Sequence, residues 1–263
     1  MSFHYSSVKL PAGEKTIAFC SLLKPKDLVV FIHGFNGDAL DTWKDFPEMM
    51  TTHPKFQHAD IVFWGYDSLK GQAGNLKIKF YKALDMLADP LNITSYPNRG
   101  LAPGFSYDHI IIVAHSLGAV VTRLALLHAK GKEAAWLNKC KLLFYAPAHW
   151  GSRIPENFKE CFFGFSVLLE AFAVTKYPII KDLTENSSVL TYIKTETDKL
   201  LLAGNNDHVK ARVIWAEKDS VVINIPYCGD EPEDEITDTT HTSVCKPKLP
   251  GFTEPFDHLL QII

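Results

Sequence analysis

The chain has 263 residues, 46% hydrophobic and 22% charged, enough apolar material for one large α/β domain around a single core. Its formal net charge is −3 and no long basic stretch occurs, which argues against a nucleic-acid partner. Five scattered cysteines (Cys20, Cys140, Cys161, Cys228, Cys245), with no CxxC pair, argue against a disulfide framework or zinc site and for a reducing compartment. The first ten residues are polar and no run reaches the ~18 continuous apolar residues of a bilayer span. The expectation is a soluble, cytoplasmic protein of one domain over residues 1–263, without a metal or other cofactor.

Phe3 to Leu10 and Lys15 to Leu22 read as short edge strands around a Pro11-Ala12-Gly13 turn. Asp27 to His33 is a buried-type strand ending in His33-Gly34-Phe35-Asn36-Gly37, and a helix with Trp43, Phe46, Met49 and Met50 follows. By itself His-Gly at a strand end reads as a turn, with His33 as a hydrogen-bonder beneath the loop. Ala59 to Tyr66 predicts a third strand, and Lys77 to Leu91 a helix with Phe80, Leu84 and Leu87 on one face. Asn92 to Gly104 holds two prolines and two glycines and reads as a loop.

The next stretch organises the chain. Ile110 to Val113 is an unbroken β-branched run, as in a central parallel strand. From Leu117 the pattern switches to Leu117, Val120, Val121, Leu124 and Leu127, the stripe of a helix facing a core, with Gly131 at its expected end. Ser116 therefore sits on a strand-to-helix corner, with the small residues Ala114 and Gly118 on either side. Such a corner holds a serine in strained geometry, points its hydroxyl out of the sheet, and leaves the Leu117 N–H at a helix N-terminus, where an oxyanion is stabilised.

Ala114-His115-Ser116-Leu117-Gly118 resembles the nucleophile elbow of the serine α/β-hydrolases, with alanine in place of the usual first glycine. That resemblance implies an α/β-hydrolase fold, a mostly parallel sheet with helices on both faces, and Ser116 as nucleophile. It also implies that Phe35, after His-Gly, supplies a second oxyanion N–H beside Leu117. His115, next to the nucleophile, leaves the elbow in another direction; it is a candidate for the pocket rather than for the base.

Lys141 to Ala146 is the next strand, followed by Pro147-Ala148-His149-Trp150-Gly151-Ser152. This resembles the Pro-His-x-Gly-Ser segment of a lipase-like branch that includes GPI inositol deacylases and intracellular serine esterases. His149 reads as a pocket-wall or loop-bracing residue and Trp150 as pocket wall. Residues 153–181 interrupt the sheet pattern and read as a helical cap insertion. Its Cys161–Val174 part, with Phe165, is apolar on nearly every face; a core helix, a cap over an acyl pocket and a membrane-docking element all fit. Leu183 to Leu202 reads as an amphipathic helix.

Val209 to Ala216 is a strand that ends in Glu217-Lys218-Asp219-Ser220-Val221-Val222, which resembles the family's acid turn and makes Asp219 the candidate acid, with Glu217 as rival. Asp230 to Glu235 is an acidic cluster that reads as a solvated loop. His241, in Thr239-Thr240-His241-Thr242-Ser243-Val244-Cys245-Lys246-Pro247, resembles the late histidine of the same group and completes the chain order Ser, Asp, His. Phe252 to Ile263 reads as a closing helix.

The expected activity is that of a carboxylesterase or lipase-like serine hydrolase with a Ser116–His241–Asp219 triad, passing through an acyl-enzyme. Phe35, Trp64, Trp150 and the Cys161–Val174 segment favour a small-molecule or lipid ester with a lipophilic acyl group. An acyltransferase, a thioesterase, a serine peptidase or a non-catalytic binding module on this fold are the alternatives, and transient contact with a membrane surface is compatible with the apolar segment. Oligomeric state is not legible.

Overall fold

The computed structural model describes residues 5–9, 16–89, 101, 104–152, 178–204, 207–225, 227, 229–231 and 234–263. Its centre is one eight-stranded sheet. The strands are Tyr5–Lys9 (β1), Ile17–Ser21 (β2), Asp27–Ile32 (β3), Ala59–Trp64 (β4), His109–His115 (β5), Cys140–Tyr145 (β6), Ala211–Ala216 (β7) and Asp234–Ile236 (β8), in the spatial order β1-β2-β4-β3-β5-β6-β7-β8. β1 and β2 are antiparallel, as are β2 and β4; every pairing from β4 to β8 is parallel. This is the α/β-hydrolase fold.

The buried strands carry long apolar runs because helices cover both faces. Register places Phe31 beside Phe63 and Ile32 beside Trp64, so these pairs point to opposite faces. Phe31 and Phe63 stack at 4.6 Å. On their side lie Phe46 of helix α1 (Phe46–Thr52) and Phe256 of the C-terminal helix α6 (Glu254–Leu260), with ring centroids 6.0 Å apart. On the other side Trp64 meets Phe80 of α2 (Ala73–Leu87) at 4.8 Å, and α2 packs on α3 (Leu117–Gly131). Two further helices, α4 (Pro178–Asp182) and α5 (Ser188–Leu202), complete the described set, and α5 packs on α3. None of the described helices is long and apolar enough to cross a membrane.

The chain passes from β3 outward to β4 and then returns across β3 to begin β5. The order therefore reverses between neighbouring strands β3 and β5, and the crevice at such a point, beyond the carboxyl ends, is where open α/β sheets bind ligands. The His33–Gly37 loop and Ser116 both emerge there.

Several boundaries shift from the sequence expectation. α2 begins at Ala73 rather than Lys77, although Gly74 is a poor helix former. α5 begins at Ser188 rather than Leu183, because the Ser187 hydroxyl caps it by accepting the Leu190 N–H. In the acidic cluster Glu231, Asp234 and Glu235 are exposed, as a solvated loop requires, but Asp230 departs from that expectation. Asp230 is buried against the equally buried Arg123 of α3, both carboxylate oxygens within 2.7 Å of the guanidinium, and Asp234–Ile236 forms β8. Of the expected cap, 153–177, including Phe165 and the Cys161–Val174 segment, lies outside the described residues.

Candidate active site

Serine is a favoured N-cap, its hydroxyl normally accepting from the first helical turn. Ser116 occupies that position on α3 but makes no capping bond. Its backbone is at φ 53°, ψ −118°, a costly region for a residue with a Cβ. The fold holds it there through its own main chain: the Ser116 N–H donates to the Tyr145 carbonyl (3.1 Å) and its carbonyl accepts from the Ala148 N–H (3.3 Å). Gly118 allows the approach of α3 to β3, since a Cβ there would lie 2.3 Å from the Ile32 carbonyl oxygen. Ala114, in the other small position, is fully buried.

The freed hydroxyl meets His241. Ser116 Oγ is 3.0 Å from His241 Nε2, and His241 Nδ1 is 2.9 Å from Asp219 Oδ2. A carboxylate only accepts, so His241 carries its hydrogen on Nδ1, which leaves the Nε2 lone pair facing the serine hydroxyl. Asp219 is held in turn: its Oδ1 accepts the N–H groups of Val221 (2.8 Å) and Val222 (3.0 Å). Burial alone would raise the Asp219 carboxyl. The His241 hydrogen bond and charge, with those two backbone donors, outweigh it and keep the group below its usual range. Glu217, the rival acid, is exposed and accepts the Asp238 N–H instead.

The loops bearing Asp219 and His241 are stitched together. β7 and β8 pair, the Glu217 and Lys218 N–H groups donate to the Ile236 and Thr239 carbonyls, and Lys218 pairs with Asp238 at 2.6 Å. None of this was visible in sequence, because β8 has three residues, too few for a periodicity.

On the opposite side of Ser116 runs the His-Gly loop. A Cβ on Gly34 would come within 2.9 Å of the Ser116 Cβ, so only glycine permits this closeness. Phe35 follows, half-buried. The loop is braced from below: His33 Nδ1–H donates to the Gly34 carbonyl (2.8 Å), its ring stacks on Tyr66 at 4.3 Å, and the Tyr66 hydroxyl donates to the His33 carbonyl (2.7 Å). Leu117 is the first residue of α3, so its N–H has no acceptor within the helix.

The other site candidates among the described residues are His115, His149 and Trp150. His115 is buried and its Nε2–H donates to the His241 carbonyl at 2.8 Å. His149 is buried too, stacked on Tyr227 at 4.3 Å and donating from Nε2 to the Ile225 carbonyl; the Tyr227 hydroxyl answers with a bond to the His149 carbonyl. Arg123 lies 4.6 Å over the same Tyr227 ring. His149 thus braces the loop after the acid turn. Trp150 is half-buried, edge-on to Tyr227 and beneath Lys194 of α5.

Burial pushes both His115 and His149 down to about 3, with the charges of His241 and Arg123 respectively next in weight. Unfolded, each would bind a proton below its ordinary value of 6.5. Between pH 6.5 and 3 the unfolded chain therefore holds more protons than the folded one, and stability is lost as pH falls through that window. The fall in Tm from pH 7 to pH 4 should be shallower in His149→Phe than in the parent protein. Equal slopes would contradict this account.

Solved structures place the fold among hydrolases. A lipase from Bacillus licheniformis, BlEst2 in mature form, superposes with a TM-score of 0.59 at 14% identity, covering 98% of this chain and 97% of its own. Esterase B from Lactobacillus rhamnosis gives 0.58 at 13% identity over 98% and 84%. The peroxisomal alpha-beta-hydrolase Lpx1 of Saccharomyces cerevisiae gives 0.53 at 10% over 94% and 81%. At such identities the likeness shows the fold alone, that of the α/β-hydrolases. No curated protein matches the sequence significantly. A family model does, over residues 23–224, and the chain belongs to that family, described as "Putative serine esterase (DUF676)".

Proposed function

We propose that the protein is a serine carboxylic-ester hydrolase that works through an acyl group carried on Ser116. One observation supports this above the others: the hydroxyl at a helix N-cap abandons the helix and hydrogen-bonds a histidine whose other nitrogen is on a buried carboxylate. A serine hydroxyl is a weak nucleophile until a base takes its proton.

In this reading Ser116 Oγ attacks the ester carbonyl carbon as its proton passes to His241 Nε2. Asp219 stabilises the imidazolium that forms and keeps its Nδ1–H in place. The carbonyl oxygen becomes an oxyanion, and the N–H groups of Leu117 and Phe35 receive it; the α3 N-terminus adds its partial positive charge. The C–O bond to the leaving alcohol breaks and His241 returns the proton to that oxygen. Water then repeats the sequence on the acyl-enzyme, releasing the acid and restoring Ser116.

The half-buried aromatics Phe35 and Trp150 favour a lipophilic acyl group, and a cytoplasmic setting accords with Cys20, Cys140 and Cys245, which are buried and carry no disulfide. The test is a chain-length series of acyl esters and the matching thioesters, with products resolved in the presence of added alcohol and amine. Each methylene accommodated in an apolar pocket contributes about 0.8 kcal/mol at most. The specificity constant should rise by at most about fourfold per carbon and then level off, with free acid as the main product. A preponderance of transferred ester or amide would make the protein an acyltransferase, and no turnover of any ester would remove the proposal.

A further inference from the structure

His115 immediately precedes the candidate nucleophile, and its imidazole bridges two loops that the chain brings in separately. Its Nε2 lies 2.8 Å from the main-chain carbonyl oxygen of His241, 126 residues away in sequence. A carbonyl can only accept, so the hydrogen is on Nε2 and Nδ1 is left as a lone pair. The Nδ1 edge faces the His-Gly loop: a Cβ built on Gly34 would approach it to 3.0 Å. The two imidazoles lie 4.9 Å apart, inclined at 44°. The ring is fixed by β5 below and is almost wholly removed from solvent.

We propose that His115 is a positioning residue: by donating Nε2–H to the His241 carbonyl while filling the space against Gly34, it sets the distance between His241 and Ser116. The proposal rests on the Ser116–His241–Asp219 reading above. It gives His115 a role other than pocket wall.

The physical reason is that the Asp219 contact fixes only the Nδ1 edge of the His241 ring. The ring swings about its own Cα–Cβ bond, and the place of that Cα depends on the Thr239–Ser243 turn. That turn has a bond to the acid loop through the carbonyl of Thr239, two residues before His241, which accepts the Lys218 N–H. The bond from His115 reaches His241 itself and is anchored on the last residue of the strand that leads into Ser116. Both ends of the Ser116–His241 contact are thereby referred to β5. A neutral ring suits the position, because a second cation beside His241 would oppose formation of the imidazolium.

The test compares His115→Gln with His115→Met. The two side chains have similar length and volume, and only glutamine can place an N–H near the position of Nε2. A displacement of the order of 1 Å in a reacting pair costs about 10²-fold. His115→Met should therefore lower kcat on a short acyl ester by about 10²-fold with KM within about twofold, and should slow fluorophosphonate inactivation by the same factor. His115→Gln should recover about tenfold of that loss at comparable Tm. The proposal is overturned if the methionine variant keeps wild-type kcat, or if both variants lose activity equally at equal Tm. A direct reading on the unaltered protein covers the case of a variant that does not fold. Its ¹⁵N-histidine spectrum should show His115 as the Nε2–H tautomer, and the Nδ1–H tautomer overturns the proposal. A wild-type protein inert to both ester and fluorophosphonate would instead remove the underlying esterase reading, a result distinct from any of these.

Discussion

Replacing Ser116 by alanine is expected to lower kcat for a short acyl ester by 10⁴-fold or more, on the order of the loss when a hydrolase nucleophile is removed, with KM little changed. The size of the effect follows from what the hydroxyl does. It makes no bond to its own helix, and it pairs instead with His241 Nε2 at 3.0 Å. In the proposed reaction its removal deletes the atom that bonds to substrate and leaves the remaining donors in place. The backbone geometry is carried by the Tyr145 and Ala148 contacts, which alanine keeps, so the unfolding midpoint should stay close to that of the parent. The measurement is steady-state turnover beside a melting curve on the same preparation. Retained turnover at unchanged Tm would move the nucleophile elsewhere.

The second large effect belongs to His241 and Asp219. In the proposed triad His241→Ala removes the base and should cost about as much as loss of the serine, with no further loss in the double variant, as for residues that act as a unit. Asp219→Asn is more instructive. The amide can present an N–H toward His241 Nδ1, which then becomes the acceptor and moves the imidazole hydrogen to Nε2. The ring still fits, but it can no longer take the Ser116 proton, and a loss of about 10⁴-fold in kcat is expected. Glu217→Gln should leave kcat near the parent value, since that carboxylate is exposed and serves the Asp238 N–H. A crippled Glu217→Gln beside an active Asp219→Asn would reverse the choice of acid. Rates for the four variants on one ester settle the matter.

What could be read in advance follows from which interactions are local. The switch from the β-branched run at Ile110–Val113 to the helical stripe after Leu117 is a change of period, visible within about fifteen residues. It located the corner at Ser116, where φ is 53°. His33-Gly34 and the turn at Asp219 could be found because each closes a strand whose pattern is equally plain. The contacts that join these loops could not. Arg123 stands in the middle of an amphipathic helix, where a charge ordinarily faces water; its burial depends on Asp230, more than a hundred residues later. Asp230 itself stands in an acidic run, which by composition reads as solvated. Its carboxylate instead meets Arg123 and the N–H groups of Ala211 and Tyr227, which the fold brings to it. His115 likewise gave no sign of its partner, since a bond to the backbone of His241 leaves no trace in residue type. Helix starts were misplaced for a smaller reason. Whether Ser187 caps α5 or lies within it depends on where its hydroxyl points.

The central claim is that Ser116 is acylated. The most direct measurement is reaction of the purified protein with a fluorophosphonate, followed by intact-mass analysis and peptide mapping. The account predicts one adduct per chain, on the peptide containing Ser116, formed more slowly in Asp219→Asn and absent in Ser116→Ala. An adduct on another residue, or undiminished labelling of the alanine variant, would contradict it.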